Sequence, residues 1–161
     1  MPDRAVIFDL DGTLIDSKQD LANSVNATRV HMGLEPIDDE VVSTWVGNGA
    51  PVLIRRAIGP EAREDVVEQA LEYFLAHYRE HMLDNTVLYP GVREGLDRLR
   101  EAGLRMAVLT NKPVNFSRNL VAGLGVGDHF FRVYGGNSFE QKKPHPIGIE
   151  TLRDEAAASA E

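Results

Sequence analysis

Three short clusters in this 161-residue chain carry side chains suited to chemistry: Asp9-Leu10-Asp11-Gly12-Thr13, Thr110-Asn111, and Lys142-Lys143-Pro144. Brought together, they supply two carboxylates, hydroxyl and amide groups, and an ammonium. That set suits phosphoryl transfer. A phosphomonoester dianion repels a carboxylate nucleophile, so a cation must screen the two, and Mg²⁺ suits carboxylate and phosphate oxygens. A lysine charge and a hydroxyl donor hold the equatorial oxygens, where charge spreads. A second carboxyl group can protonate the leaving alkoxide and afterwards take a proton from water. Attack by a carboxylate divides one difficult displacement into two easier ones.

The elements that must position these groups are legible as apolar runs. Asp9 follows Ala5-Val6-Ile7-Phe8, which reads as a buried strand of a parallel sheet. Thr110 follows a second run, Arg105 to Leu109. A third, Phe130 to Tyr134, ends in Gly135-Gly136 and precedes Lys143. In a doubly wound sheet the C-terminal strand ends share one crevice, where ligands bind. Asp9 and Asp11 both face that crevice if the chain bends after Phe8, and Gly12 permits the bend. Leu96, Leu99 and Glu101-Ala102-Gly103 close one helix, with Gly103 as its C-terminal cap. Pro113 suits the first turn of another, followed by Phe116, Leu120 and Leu124 at helical spacing. The alternation predicts an α/β fold with right-handed crossovers. Ala156 to Ala160 reads as helix.

Residues 17–85 differ, with no convincing strand. Leu21, Val25, Thr28 and Met32 mark one helix face; Leu71, Phe74, Leu75, Tyr78 and Met82 mark another. Glycines and prolines from Gly33 to Pro60 punctuate the segment. The expected organisation is a core of residues 1–16 and 86–161 with a helical insert, 17–85, between them.

Composition sets bounds on partners. Acidic residues outnumber basic ones 25 to 17, for a net charge of -8, which disfavours nonspecific nucleic-acid or anionic-membrane binding. An anionic substrate must therefore be attracted locally. The chain has no cysteine, which removes disulfides, thiolate zinc sites and thiol nucleophiles and suits a cytoplasmic setting. No stretch approaches the ~18 apolar residues of a membrane span, and the N-terminal run is too short for a signal peptide.

Two other readings compete. Asp9 and Asp11 could begin a calcium loop, with Asp20 at its twelfth position, but Leu14 stands where that loop needs glycine. His77-Tyr78-Arg79-Glu80-His81 matches a zinc-protease pattern but has no evident third ligand, so a solvated helix face is the better reading.

Phe8-Asp9-Leu10-Asp11-Gly12-Thr13-Leu14-Ile15-Asp16-Ser17 resembles the first motif of the haloacid dehalogenase superfamily. Leu109-Thr110-Asn111-Lys112 resembles its second motif, and Lys143 before Pro144 its third. Gly135-Gly136-Asn137, Lys142-Lys143-Pro144-His145-Pro146 and Trp45-Val46-Gly47-Asn48-Gly49-Ala50 with Arg56 resemble the phosphoglycolate phosphatase branch. The resemblance implies a Rossmann-like parallel sheet with an inserted helical cap. It implies Mg²⁺-dependent hydrolysis of a small phosphomonoester, 2-phosphoglycolate above others, through an aspartyl-phosphate. Asp9 would be the nucleophile, Asp11 the general acid/base, and Thr110 and Lys143 the phosphate holders. Asp9 and the Asp11 main-chain carbonyl would ligate the metal. Gly12, Thr13 and Asn111, with Gly47, Asn48, Gly49 and Arg56 of the cap, would contact substrate. The alternatives are another small-phosphoester phosphatase, a phosphoglucomutase-like enzyme, or an inactive fragment serving as a binding or folding module. The family's fourth motif belongs after the last helix, and the chain stops at Glu161 before it. The expectation is an incomplete core, weak Mg²⁺ binding, low activity, and self-association through an open Ala5–Phe8 edge.

Overall fold

The computed structural model describes residues 4–158. They form two compact units: the residues up to Asp16 together with those from Leu88 on, and Ser17–Val87. Two short strands, β2 (Ile15–Asp16) and β3 (Val87–Leu88), carry the chain between the units and pair with each other.

The first unit is built on β1 (Ala5–Phe8) and two later strands, β4 (Arg105–Leu109) and β5 (Phe130–Tyr134). The order is β1-β4-β5 and both pairings are parallel. The register sets Phe8 beside Val108 and Leu109 beside Tyr134. All three strands therefore end at one edge of the sheet, which brings Asp9, Thr110 and Gly135 to the same rim. Continuous apolar runs are what a parallel sheet covered by helices requires. Met106, Ala107, Val108 and Leu109 are buried in the central strand, as are Leu96 of α5 (Val92–Glu101), Leu120 of α6 (Val114–Gly123) and Leu152 of α7 (Ile147–Ala158). Alternate residues Ala107 and Leu109 cluster with Leu152, and Ile7, Phe131, Tyr134 and Phe139 pack around them.

Two local expectations shift. Pro113 precedes α6 at ψ 135° instead of sitting in its first turn, and Val114 begins the helix. The alanine-rich stretch is helical through Ala158, and its last residues lie outside those described.

The second unit holds α1 (Lys18–His31), α2 (Asp39–Ser43), α3 (Ala50–Ile58) and α4 (Glu64–His81). Leu21, Val25 and Thr28 of α1 and Phe74 and Tyr78 of α4 are buried, along the apolar stripes read from the sequence. This unit runs to Val87, where the sequence suggested 85, and one side chain of α1 holds residues just before that end. The buried Asp20 carboxylate accepts hydrogen bonds from the main-chain N–H groups of Asn85 and Thr86, from the Asn85 amide and from the Thr86 hydroxyl, at 2.8 to 3.0 Å. Those bonds tie residues 85 and 86 to α1. Burial pushes the Asp20 carboxyl up, but the Asn85 and Thr86 bonds together outweigh it and hold its pKa below the ordinary value. The same bonds occupy the carboxylate a calcium loop would need.

The two histidines of the zinc-like pattern also have other partners. His77 Nδ1 meets Ser24 Oγ at 2.9 Å and His81 Nδ1 meets Asp84 at 2.7 Å. Among the described residues no helix is long and apolar enough to cross a membrane.

Candidate active site

The turn after β1 gives the site its shape. Gly12 lies at φ +78°, in the left-handed region where a side chain is strained. That bend lets the Leu10 carbonyl accept from the N–H groups of Thr13, Leu14 and Ile15 at 3.0 to 3.2 Å, while Gly12 N–H donates to the Ile15 carbonyl at 3.0 Å. Leu10 is fully buried and anchors the turn, so the residues on either side of it are left at the rim. The Asp9 side chain is 46% exposed and that of Asp11 is 13% exposed.

Each carboxylate has its own lysine. Lys143 Nζ lies 3.0 Å from Asp9 Oδ1. Lys112 Nζ lies 3.1 Å from Asp11 Oδ1 and 3.4 Å from Oδ2. Sequence reading singled out Lys143 from its neighbour Lys142, and Lys143 is the one beside Asp9. It assigned nothing to Lys112, because a lysine after a strand end reads like any solvated lysine until its partner is known. The Lys112 side chain is only 5% exposed.

The loops after β4 and β5 are locked together. Asn111 Oδ1 accepts from Lys143 N–H at 2.9 Å and its Nδ2 donates to the Lys143 carbonyl at 3.2 Å. Asn111, expected to contact substrate, thus grips the main chain of the residue that meets Asp9. Gly136 N–H donates to the Lys112 carbonyl at 2.8 Å. A Cβ on Gly136 would stand 2.3 Å from the Asn111 carbonyl oxygen, and one on Gly135 would stand 2.5 Å from that of Lys112, so only glycine allows this approach. Thr110 is buried, and its hydroxyl oxygen accepts from Lys112 N–H at 3.1 Å, which leaves the hydroxyl proton to donate. A small cavity of about 10 Å³ opens among Thr110, Gly135, Lys143 and His145.

In this unit the structure gathers Asp9, Asp11, Gly12, Thr110, Asn111 and Lys143 on the turn and loops at the sheet rim. Thr13 is exposed on the same turn. Gly47, Asn48, Gly49 and Arg56 belong to the helical unit. There Gly49 caps α3 at φ 91°, and Arg56 donates to the Trp45 carbonyl at 3.2 Å. Among the described residues no group of three or more acidic, histidine or cysteine side chains gathers to hold a metal.

Comparison with known proteins adds an independent line. The profile of the haloacid dehalogenase-like hydrolases matches residues 6–161. The chain is 44% identical over 150 residues to a phosphoglycolate phosphatase of Chromobacterium violaceum, an alignment covering 91% of this chain and 68% of the relative. To the phosphoglycolate phosphatase of Pseudomonas putida it is 45% identical over 152 residues, covering 91% of this chain and 55% of that protein. The crystal structure of a predicted phosphoglycolate phosphatase from Haemophilus somnus superposes with a TM-score of 0.91 at 34% identity, over 96% of this chain and 72% of that one. The chain thus spans between about half and seven-tenths of the length of these proteins.

Proposed function

The chain belongs to the haloacid dehalogenase-like hydrolase family, and on that premise we propose that it carries the nucleophile and phosphate-binding groups of a phosphomonoesterase acting on 2-phosphoglycolate. The carrying observation is the Asp9–Lys143 pair, 3.0 Å apart at a strand end, with the Thr110 hydroxyl on the same rim.

Asp9 is the more open of the two carboxylates, half exposed where Asp11 is mostly covered, so it is the one an incoming phosphate can meet. Its oxygen attacks phosphorus as the bond to the leaving alkoxide breaks. The carboxyl group of Asp11 gives that alkoxide a proton. Asp11 then takes a proton from water, the water oxygen attacks phosphorus, and phosphate leaves with Asp9 restored. Lys143 and the Thr110 hydroxyl hold the equatorial oxygens throughout. Gly12 and Thr13 line the phosphate end, and Asn111 acts by fixing Lys143.

The donor chemistry fits Mg²⁺. Asp9 offers a half-exposed carboxylate and Asp11 a main-chain carbonyl, and Mg²⁺ keeps several waters and is held by one or two carboxylates with substrate phosphate. When bound, the ion screens the repulsion between Asp9 and the phosphate dianion.

The test is phosphate release from 2-phosphoglycolate across a Mg²⁺ titration, with a panel of sugar phosphates and p-nitrophenyl phosphate beside it. Metal-dependent release, fastest in kcat/KM on 2-phosphoglycolate, is expected. A hexose phosphate as the best substrate would replace the substrate assignment, and no release from any phosphoester would sink the activity itself.

A further inference from the structure

Lys112 is a buried cation whose position is fixed from several sides. Its main-chain N–H donates to Thr110 Oγ1, its carbonyl accepts from Gly136, and Gly135 approaches that carbonyl so closely that a Cβ there would stand 2.5 Å from its oxygen. The Lys112 stem therefore starts from a main chain held by hydrogen bonds on both sides. Its ammonium, with the side chain 5% exposed, ends 3.1 Å from Asp11 Oδ1 and 3.4 Å from Oδ2. An ammonium buried to that degree is costly unless it is paired. The Asp11 carboxylate thus stays where the Lys112 charge is.

Resting on the phosphatase reading above, we propose that Lys112 is a positioning residue which holds the Asp11 carboxyl group at the point from which it serves the leaving oxygen. The two lysines divide the work. Lys143, with its side chain 28% exposed, is open to a phosphate. Lys112 is covered, and its ammonium meets the Asp11 carboxylate, so its effect on substrate is assigned to Asp11. Thr110 is drawn into the same arrangement, since its hydroxyl oxygen accepts from Lys112 N–H and its proton is left to donate.

The proposal makes a leaving-group prediction. A glycolate alkoxide needs a proton as it departs, whereas p-nitrophenolate leaves without one. The ratio kcat/KM reports only the steps up to release of the alcohol, so slower hydrolysis of the aspartyl-phosphate does not enter it. Lys112→Met is expected to lose roughly tenfold to a hundredfold in kcat/KM on 2-phosphoglycolate and no more than about threefold on p-nitrophenyl phosphate, with KM little changed. Lys112→Arg, which keeps the charge, is expected to recover most of the ratio between the two substrates. Lys112→Gln serves the same comparison if the Met variant does not fold. Equal losses on both substrates mean a structural role and overturn the proposal, as does an unchanged ratio. Crystal structures of the parent and a neutral variant supply a readout that needs no turnover. The Asp11 carboxylate should leave its place by about 1 Å or more, the scale of misplacement that impairs catalysis, while Asp9 and the β1 turn stay put. A parent inactive on both substrates would sink the phosphatase reading. The structural comparison would still decide the positioning role, and an unmoved Asp11 carboxylate would overturn it.

Discussion

Asn111 holds Lys143 by both ends of its amide, accepting from the Lys143 N–H at 2.9 Å and donating to its carbonyl at 3.2 Å. A side chain at the end of one strand therefore sets where the lysine of a later loop begins. Asn111→Ala should cost ~1–3 kcal/mol of stability and lower kcat/KM about tenfold to a hundredfold, because Lys143 then reaches Asp9 from a looser loop. Thermal unfolding and steady-state kinetics read the two effects. A variant with parental kcat/KM would show that Lys143 is held by something else.

Asp9→Asn removes the proposed nucleophile and leaves the fold almost untouched, since the side chain is half exposed at a strand end and surface pairs contribute little. Turnover should vanish, and no acid-stable phosphoryl group should be trapped on the chain. Retention of a near-parental rate in Mg²⁺ would take Asp9 out of the mechanism.

Asp20→Asn tests the tie that closes the helical unit. The buried carboxylate accepts from four donors, one of them shared between its two oxygens, and the loss or weakening of these bonds should cost ~2–4 kcal/mol at neutral pH. The sign of the pH dependence follows from the lowered pKa. The stabilisation is fully present above the ordinary carboxyl value of 3.8 and is lost as pH falls through the lower folded value. Urea titrations at several pH values should show the gap between parent and variant shrinking in acid. A gap that widens on acidification would contradict the assignment.

Arg56 tests substrate selection by the helical unit. It is exposed and donates to the Trp45 carbonyl at 3.2 Å, so its removal should disturb the fold little. If its guanidinium meets a substrate carboxylate, Arg56→Ala should raise KM for 2-phosphoglycolate roughly tenfold or more and leave p-nitrophenyl phosphate unchanged. Parallel increases on both substrates would point to a general effect.

The β1 edge carries the last prediction. Among the described residues β1 pairs only with β4, so one side of an apolar strand with no charge or proline of its own is open. Such an edge invites association. Light scattering should show mass rising with concentration for residues 1–161, and a monomer at all concentrations would show the edge to be covered.

The sequence by itself determined the strands and their shared rim, and it pointed to the groups proposed to react. Ala5–Phe8 and Arg105–Leu109 are uninterrupted apolar runs, and a buried parallel strand needs nothing else to be recognised. A carboxylate pair two residues apart, with glycine next to it, is a local signal that survives without coordinates. The helical character of the insert was legible for the same reason, since its apolar stripes have helical period. What only the tertiary structure decided were the partnerships. Lys112 and Asp11 are 101 residues apart, and nothing in either neighbourhood distinguishes that lysine from a solvated one. The grip of the Asn111 amide on the Lys143 main chain and the closing of Asp20 on Asn85 and Thr86 are likewise contacts between residues far apart in the chain. Periodicity and turn chemistry act between near neighbours in the chain. The pairing of charges and the filling of hydrogen bonds depend on distances between strands and helices, and those are fixed only when the sheet and its loops have packed.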